Sequence, residues 1–86
     1  MNIGSTVYVI HHSQNIFSGV LGDEITAQGF YTRWGPGHEV YFRNAAQGVN
    51  AQAYNDENIF STKKTAKKEL FTRRLRYPNL MKGRAA

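Results

Sequence analysis

Nine of the eleven Lys and Arg residues of this 86-residue chain fall after residue 60, against one acid there, Glu69, so residues 61–86 have net charge +8. Residues 1–60 set Arg33 and Arg43 against Asp23, Glu24, Glu39, Asp56 and Glu57, a net −3, and the two parts give the +5 of the whole. A mildly acidic, aromatic-rich body therefore ends in a strongly basic appendage. Such an asymmetry points to an anionic partner more than to a reaction.

Size narrows the choice of folds. Eighty-six residues make one domain, and a chain of this size buries only about 60–65% of its unfolded surface, so the core is small. Five Tyr, five Phe and one Trp supply large burial per residue. Cysteine is absent, which removes disulfides and thiolate zinc sites as sources of stability. No charged segment followed by an apolar run opens the chain, and no stretch approaches about 18 apolar residues. The expected location is the cytoplasm, with no membrane attachment.

The first sixty residues read as short strands. Thr6–His11 is β-branched and aromatic, hence a strand. Ser13, Gln14 and Asn15 read as a turn, and residues 16–21 resume extended structure with Gly19 as a bulge or bend. Residues 22–24 interrupt, residues 25–27 continue, and Gly29 marks another turn. Residues 30–43 read as a hairpin whose loop is Gly35, Pro36 and Gly37, with Gly37 at positive φ. That register pairs Trp34 with His38, Arg33 with Glu39, Thr32 with Val40, Tyr31 with Tyr41 and Phe30 with Phe42. One face then collects Phe30, Phe42, Thr32, Val40 and Trp34; the other collects Tyr31, Tyr41, Arg33, Glu39 and Arg43. A polar loop, a weak strand over residues 51–54 and turn chemistry over residues 55–58 follow.

Ser61 or Thr62 can cap a helix that starts at about Lys63 and ends before Pro78, because Tyr77 is pushed out of the α region. Its apolar positions split into two faces, Ala66 with Leu70 and Phe71 with Leu75, with Lys67 and Arg74 between them. The expected organisation is a folded unit over residues 1–70 and a basic helical extension with a frayed tail over residues 71–86, so that a chain ending at Leu70 stays folded.

A Val-Tyr-Val-Ile strand, the Ser-Gly-Val of residues 18–20, a Tyr/Phe-rich hairpin and the Asn-Ile-Phe-Ser-Thr-Lys-Lys-Thr-Ala-Lys-Lys-Glu-Leu of residues 58–70 resemble small SH3-like β-barrel proteins of bacteria and their phages. Phe60, Thr62, Ala66 and Leu70 fit the phrase Phe-x-Thr-x-x-x-Ala-x-x-x-Leu of those proteins. The resemblance spans residues 3–70 and implies a mainly β fold, an SH3-like barrel of about five strands with a C-terminal helix. It brings no activity. A related likeness is to KOW-type barrels, which bind RNA or polymerase, although the Gly spacing around Gly4 and Gly19 departs from theirs.

Catalytic and cofactor chemistry finds no motif. The chain has no Cys nucleophile, no Gly-x-Ser-x-Gly, no phosphate-cradling loop and no dinucleotide fingerprint. Asp23 and Glu24 read as a solvated turn rather than an acid/base pair. Consecutive His11 and His12 in a strand would face opposite ways, His38 sits in a turn, and no carboxylate lies at i, i+2 or i+4 from the pair, so no metal site is expected. Trp34 either ends the inner face of the hairpin or stands exposed as an interface anchor. Tyr31 and Tyr41 flanked by Arg33 and Arg43 form a surface that could stack bases, although cross-strand Tyr pairs also simply stabilise sheets.

The basic segment is the sharpest signal. Cations at a helix C-terminus favour its dipole, which accounts for Arg73, Arg74 and Arg76 but not for Lys63 and Lys64 at the N-terminus. Lys63, Lys64, Lys67, Lys68, Arg73, Arg74 and Arg76 are therefore assigned to an anionic partner. The expectation is a non-enzymatic nucleic-acid-binding accessory protein of phage or mobile-element type, binding DNA or RNA. The alternative is a protein-interaction module, an inhibitor or adaptor that uses the aromatic hairpin and the helix on an acidic protein partner. The open edges of a barrel are also compatible with a homodimer.

Overall fold

The computed structural model describes residues 2–29, 33–44 and 48–78. They form β1 (Thr6–His11), β2 (Asn15–Gln28), β3 (Trp34–Asn44), β4 (Gly48–Asn55), a 3-10 turn (Asp56–Asn58), β5 (Ile59–Phe60) and α1 (Lys63–Arg76). The five strands make one open antiparallel sheet in the order β4-β3-β2-β1-β5. Mainly β architecture with a C-terminal helix is thus what the strand-like body and the capped basic segment produce. No helix among the described residues is long and apolar enough to cross a membrane.

β1 is covered on both sides, as its near-continuous apolar run requires. Val7 and Val9, fully buried, point into a cluster with Leu21, Val40, Tyr54 and Ile59, against which Phe42 packs. Ile10 alternates to the other face and meets Leu70, with Ile16, Phe60 and Tyr77 around them. The tight turn into β2 places His12 at φ 51° and Ser13 at φ 58°, closed by Gln14 N–H donating to the His11 carbonyl at 3.1 Å. Two central residues at positive φ match the twist of a hairpin, but they are normally Gly or Asn.

β2 is a single long strand. Gly19 is not a bulge, since it stays in the ladder opposite Val7. The irregularity comes at Gly22 and Asp23, where Leu21 faces Val40 but Glu24 already faces His38. Two residues thus oppose Glu39, a β-bulge that bends the strand.

The hairpin expected around Gly35-Pro36-Gly37 does not form. β3 runs straight through these residues, with Ala27 opposite Gly35, Thr26 opposite Pro36 and Ile25 opposite Gly37. Gly37 is buried between β2 and β4, where a Cβ would run into the Tyr54 carbonyl and the Ala27 side chain. It is needed for close approach rather than for a turn. Pro36, which has no N–H to donate, lies opposite Thr26 of β2, and the β3–β4 ladder begins one residue later, at Gly37 opposite Asn55. β2 and β3 instead pair up to Gln28 opposite Trp34, and Gly29 N–H donates to the Arg33 carbonyl. Tyr41 accordingly lies opposite Val20 and Ala51, and Glu39 opposite Ala53. Phe30, Tyr31 and Thr32 of the expected hairpin, and the tail from residue 79, lie outside the described residues. The alternation along β3 does survive, with Val40 and Phe42 inward and Tyr41 and Arg43 exposed.

α1 begins where Thr62 accepts a hydrogen bond from Thr65 N–H at 3.2 Å, a cap worth about 1 kcal/mol. Ala66 and Leu70 are buried against the sheet as their spacing predicts. Docking does not stop there. Arg73 is also buried and Tyr77 packs on the Ile10–Leu70 cluster, so residues 66, 70, 73 and 77 form one inward stripe along the whole helix.

Candidate nucleic-acid interface

The stripe that docks α1 decides what its other side presents. Lys63, Lys64, Lys67, Lys68, Arg74 and Arg76 are all exposed, and none forms an ion pair among the described residues. At 3.6 residues per turn, Lys64, Lys68, Phe71 and Leu75 follow one another on the face opposite the docked stripe. Phe71 is 62% exposed and Leu75 70% exposed there. The first helical turn contains no acid, so Lys63 and Lys64 face the positive end of the dipole, which disfavours each by about 0.3–1 kcal/mol. The fold leaves that cost uncompensated.

Arg73 behaves differently from the other helix cations. Its guanidinium donates to Glu69 Oε2 at 2.8 Å, to Asn58 Oδ1 at 2.7 Å and to the Glu57 carbonyl at 2.8 Å, and the residue is 5% exposed. It clamps the helix to the 3-10 turn and is not part of the basic surface. Arg74, one residue on, is exposed and donates to the Gln14 carbonyl at 3.4 Å, so the helix borders the β1–β2 turn.

The hairpin residues expected to act together are separated. Arg33 precedes β3 and pairs with Glu57 at 2.7 Å, not with Glu39; as a surface pair it contributes at most about 1 kcal/mol. Arg43 lies at the far end of β3, about 30 Å of strand away. Tyr41 donates to Glu39 at 3.3 Å, and the charge of Glu39 first, with Asp23 as a lesser contributor, raises its hydroxyl pKa. That acidic neighbourhood is a poor one for a polyanion, and Tyr31 lies outside the described residues. Trp34 does not cap the core. It is 70% exposed and lines a recess of ≈ 340 Å³ with Arg33, Pro36, Asp56 and Glu57. His38 is paired to Asp56 at 2.8 Å beside it.

A different set of rings comes together around the β1–β2 turn. His12 does not face away from His11, because its positive φ ends the strand; the two imidazoles stack with centroids 3.9 Å apart. His11 in turn lies 5.0 Å from Phe17 and 6.0 Å from Tyr54, and Phe42 closes the circuit at 6.3 Å from Phe17 and 6.0 Å from Tyr54. Nδ1 of His11 and the Tyr54 hydroxyl share a hydrogen bond of 2.6 Å. Burial first, and His12 second, hold the His11 imidazole below its ordinary pKa, while burial pushes Tyr54 up to about 12. The sequence hint was the His-His step before a turn, whose rings meet only if that turn is left-handed. Among the described residues no three His, Asp or Glu side chains are grouped to hold a metal ion. Comparison with known protein families, curated proteins and solved structures finds no match to this chain.

Proposed function

We propose that the protein binds nucleic acid, contacting phosphates through the outer side of α1 on a sheet of SH3-like barrel type. The observation that carries this reading is the six exposed cations, Lys63, Lys64, Lys67, Lys68, Arg74 and Arg76, none of which is ion-paired among the described residues. The strand order β4-β3-β2-β1-β5, with a short last strand returning to β1 through a 3-10 turn, supports the SH3-like assignment. Phosphate binding by six cations predicts that log K falls against log salt with a slope of about −5 on duplex DNA. Titrating a labelled duplex between 50 and 200 mM salt tests this, and Lys64→Ala with Lys68→Ala should reduce the slope by about 2. Binding that is absent at low salt, or indifferent to salt, ends the reading.

A protein partner is the second reading, favoured by one observation. Phe71 and Leu75 are exposed side by side within the basic face, which suits a partner surface that is both apolar and acidic. Capture of a protein from nuclease-treated lysate by the native chain, lost in Phe71→Ser with Leu75→Ser, would favour it over nucleic acid.

A further inference from the structure

We propose that the ring cluster of His11, His12, Phe17, Phe42 and Tyr54 is a base-stacking cleft, so that the protein takes single-stranded nucleic acid in preference to duplex. This rests on the nucleic-acid reading of α1 and adds to it where the bases go.

Two recesses flank the rings. One, of ≈ 300 Å³, is bounded by Phe17, Phe42, Ser18, Arg43, Asn50 and Gln52. The other, of ≈ 220 Å³, is bounded by His11, His12, Ser13, Tyr54, Asn58 and again Gln52. Gln52 thus stands between them, and Phe17, 43% exposed, offers a ring to solvent within the cleft. Volumes at or below about 300 Å³ are at the small end for ligand sites. They admit a planar ring system and not a double helix.

Chemistry selects the ligand. Neither recess is lined by a carboxylate, although the body has a net negative charge. The titratable groups present are Arg43, His11, His12 and Tyr54, so a cation finds no partner and an anion finds Arg43. Side-chain amides of Asn50 and Gln52 both donate and accept, as the edges of bases require, while Asn58, whose Oδ1 accepts from Arg73, has its NH2 group to donate. An aromatic floor with amides and a guanidinium at its rim is the combination that holds unstacked bases and their backbone.

Position links the cleft to the basic helix. Arg74 bonds to Gln14 of the same β1–β2 turn that presents His12. A strand whose phosphates follow the outer side of α1 therefore arrives at the turn with its next bases beside the imidazoles and Phe17, and Arg43 lies beyond. His12 and Ser13 hold positive φ, a strained choice for two residues that are not Gly. With that backbone the His12 ring lies on His11, at the rim of the smaller recess.

The test uses the full chain and fluorescence anisotropy with labelled (dT)12, (rU)12 and a 12-base-pair duplex, the three probes being compared at 50 mM salt and again at 200 mM. At least one single strand is expected to bind about tenfold or more tightly than the duplex. Phe17→Leu should weaken single-strand binding about 5-fold or more, within the range measured for loss of one stacked base, and leave duplex binding within about twofold. Phe17→Tyr, which keeps a ring, should retain it. Gln52→Glu sets a carboxylate between the recesses and keeps an oxygen where Gln52 Oε1 accepts from the Tyr54 hydroxyl at 3.4 Å, and should also weaken single strands selectively; it serves if Phe17→Leu does not fold. Equal affinity for single strands and duplex, or single-strand binding unmoved by Phe17→Leu and Gln52→Glu, overturns the cleft while a salt-dependent affinity keeps the reading of α1. Absence of binding to all three probes at 50 mM salt overturns both.

Discussion

The guanidinium of Arg73 reaches Oδ1 of Asn58 at 2.7 Å, across the gap between α1 and the 3-10 turn that follows β4. With the Glu57 carbonyl and Glu69 as its other acceptors, one side chain ties the basic helix to the end of the sheet. Removing it leaves a backbone carbonyl, a carboxamide and a carboxylate, the last on a side chain 38% exposed, without this donor. Arg73→Ala is expected to cost about 1–3 kcal/mol. Arg73→Lys should recover only part of this, because a single ammonium cannot span three acceptors set for a planar fork. Urea unfolding of both, beside Arg76→Ala as an exposed control within about 0.5 kcal/mol of the native chain, checks the ordering.

The same contact sets where the folded unit ends. Stopping at Leu70 removes both Arg73 and Tyr77, the second half of the stripe that docks α1. Such a chain is expected to unfold at markedly lower denaturant, or without a cooperative transition, whereas one ending at residue 78, which keeps Arg73 and Tyr77, should unfold at a clearly higher midpoint. Equal midpoints for the two truncations would show that Ala66 and Leu70 alone hold the helix.

Gly19 offers a separate check on the sheet packing. A Cβ built there would stand 2.7 Å from Val40 Cγ1 and 2.8 Å from the Tyr41 carbonyl oxygen. One of these is backbone and the other belongs to a fully buried core residue, so neither yields easily. Gly19→Ala is expected to destabilise by about 1–3 kcal/mol, lowering the urea midpoint without changing the slope.

How far the sequence reached follows from how local each signal is. β1, the Thr62 cap and the Ala66–Leu70 face are written within a few residues of themselves, and each formed where its pattern placed it. Gly35-Pro36-Gly37 has the composition of a turn, yet Gly37 is required by the proximity of Tyr54 and Ala27, neighbours that only the folded sheet supplies. Arg73 carried the same local signature as Arg74 and Arg76. Its acceptors, Asn58 and the Glu57 carbonyl, lie 15 and 16 residues earlier, and one is backbone that no side-chain pattern reports. The rings of the cleft come from β1, β2, β3 and β4, so their meeting depended on register rather than on any motif.

His11 and Tyr54 make that meeting visible to pH. The His11 pKa is lowered in the folded chain, mainly by burial and then by His12, so the unfolded chain binds more protons as pH falls below about 6.5. Stability from this group is present above that value and is lost as pH drops through the lower folded value. Tyr54 acts at the other end. Its pKa rises from 10.0 to about 12 through burial, so stability is intact below pH 10 and declines as pH climbs towards 12. Carboxylates also titrate on the acid side, so the informative quantity is a difference between chains. Urea midpoints of the native protein should fall between pH 7.5 and 5.5 more steeply than those of His11→Asn, which lacks the titrating ring. Between pH 9.5 and 11.5 they should fall more steeply than those of Tyr54→Phe. Parallel profiles for the native chain and both variants would place these two rings in solvent rather than against each other at 2.6 Å.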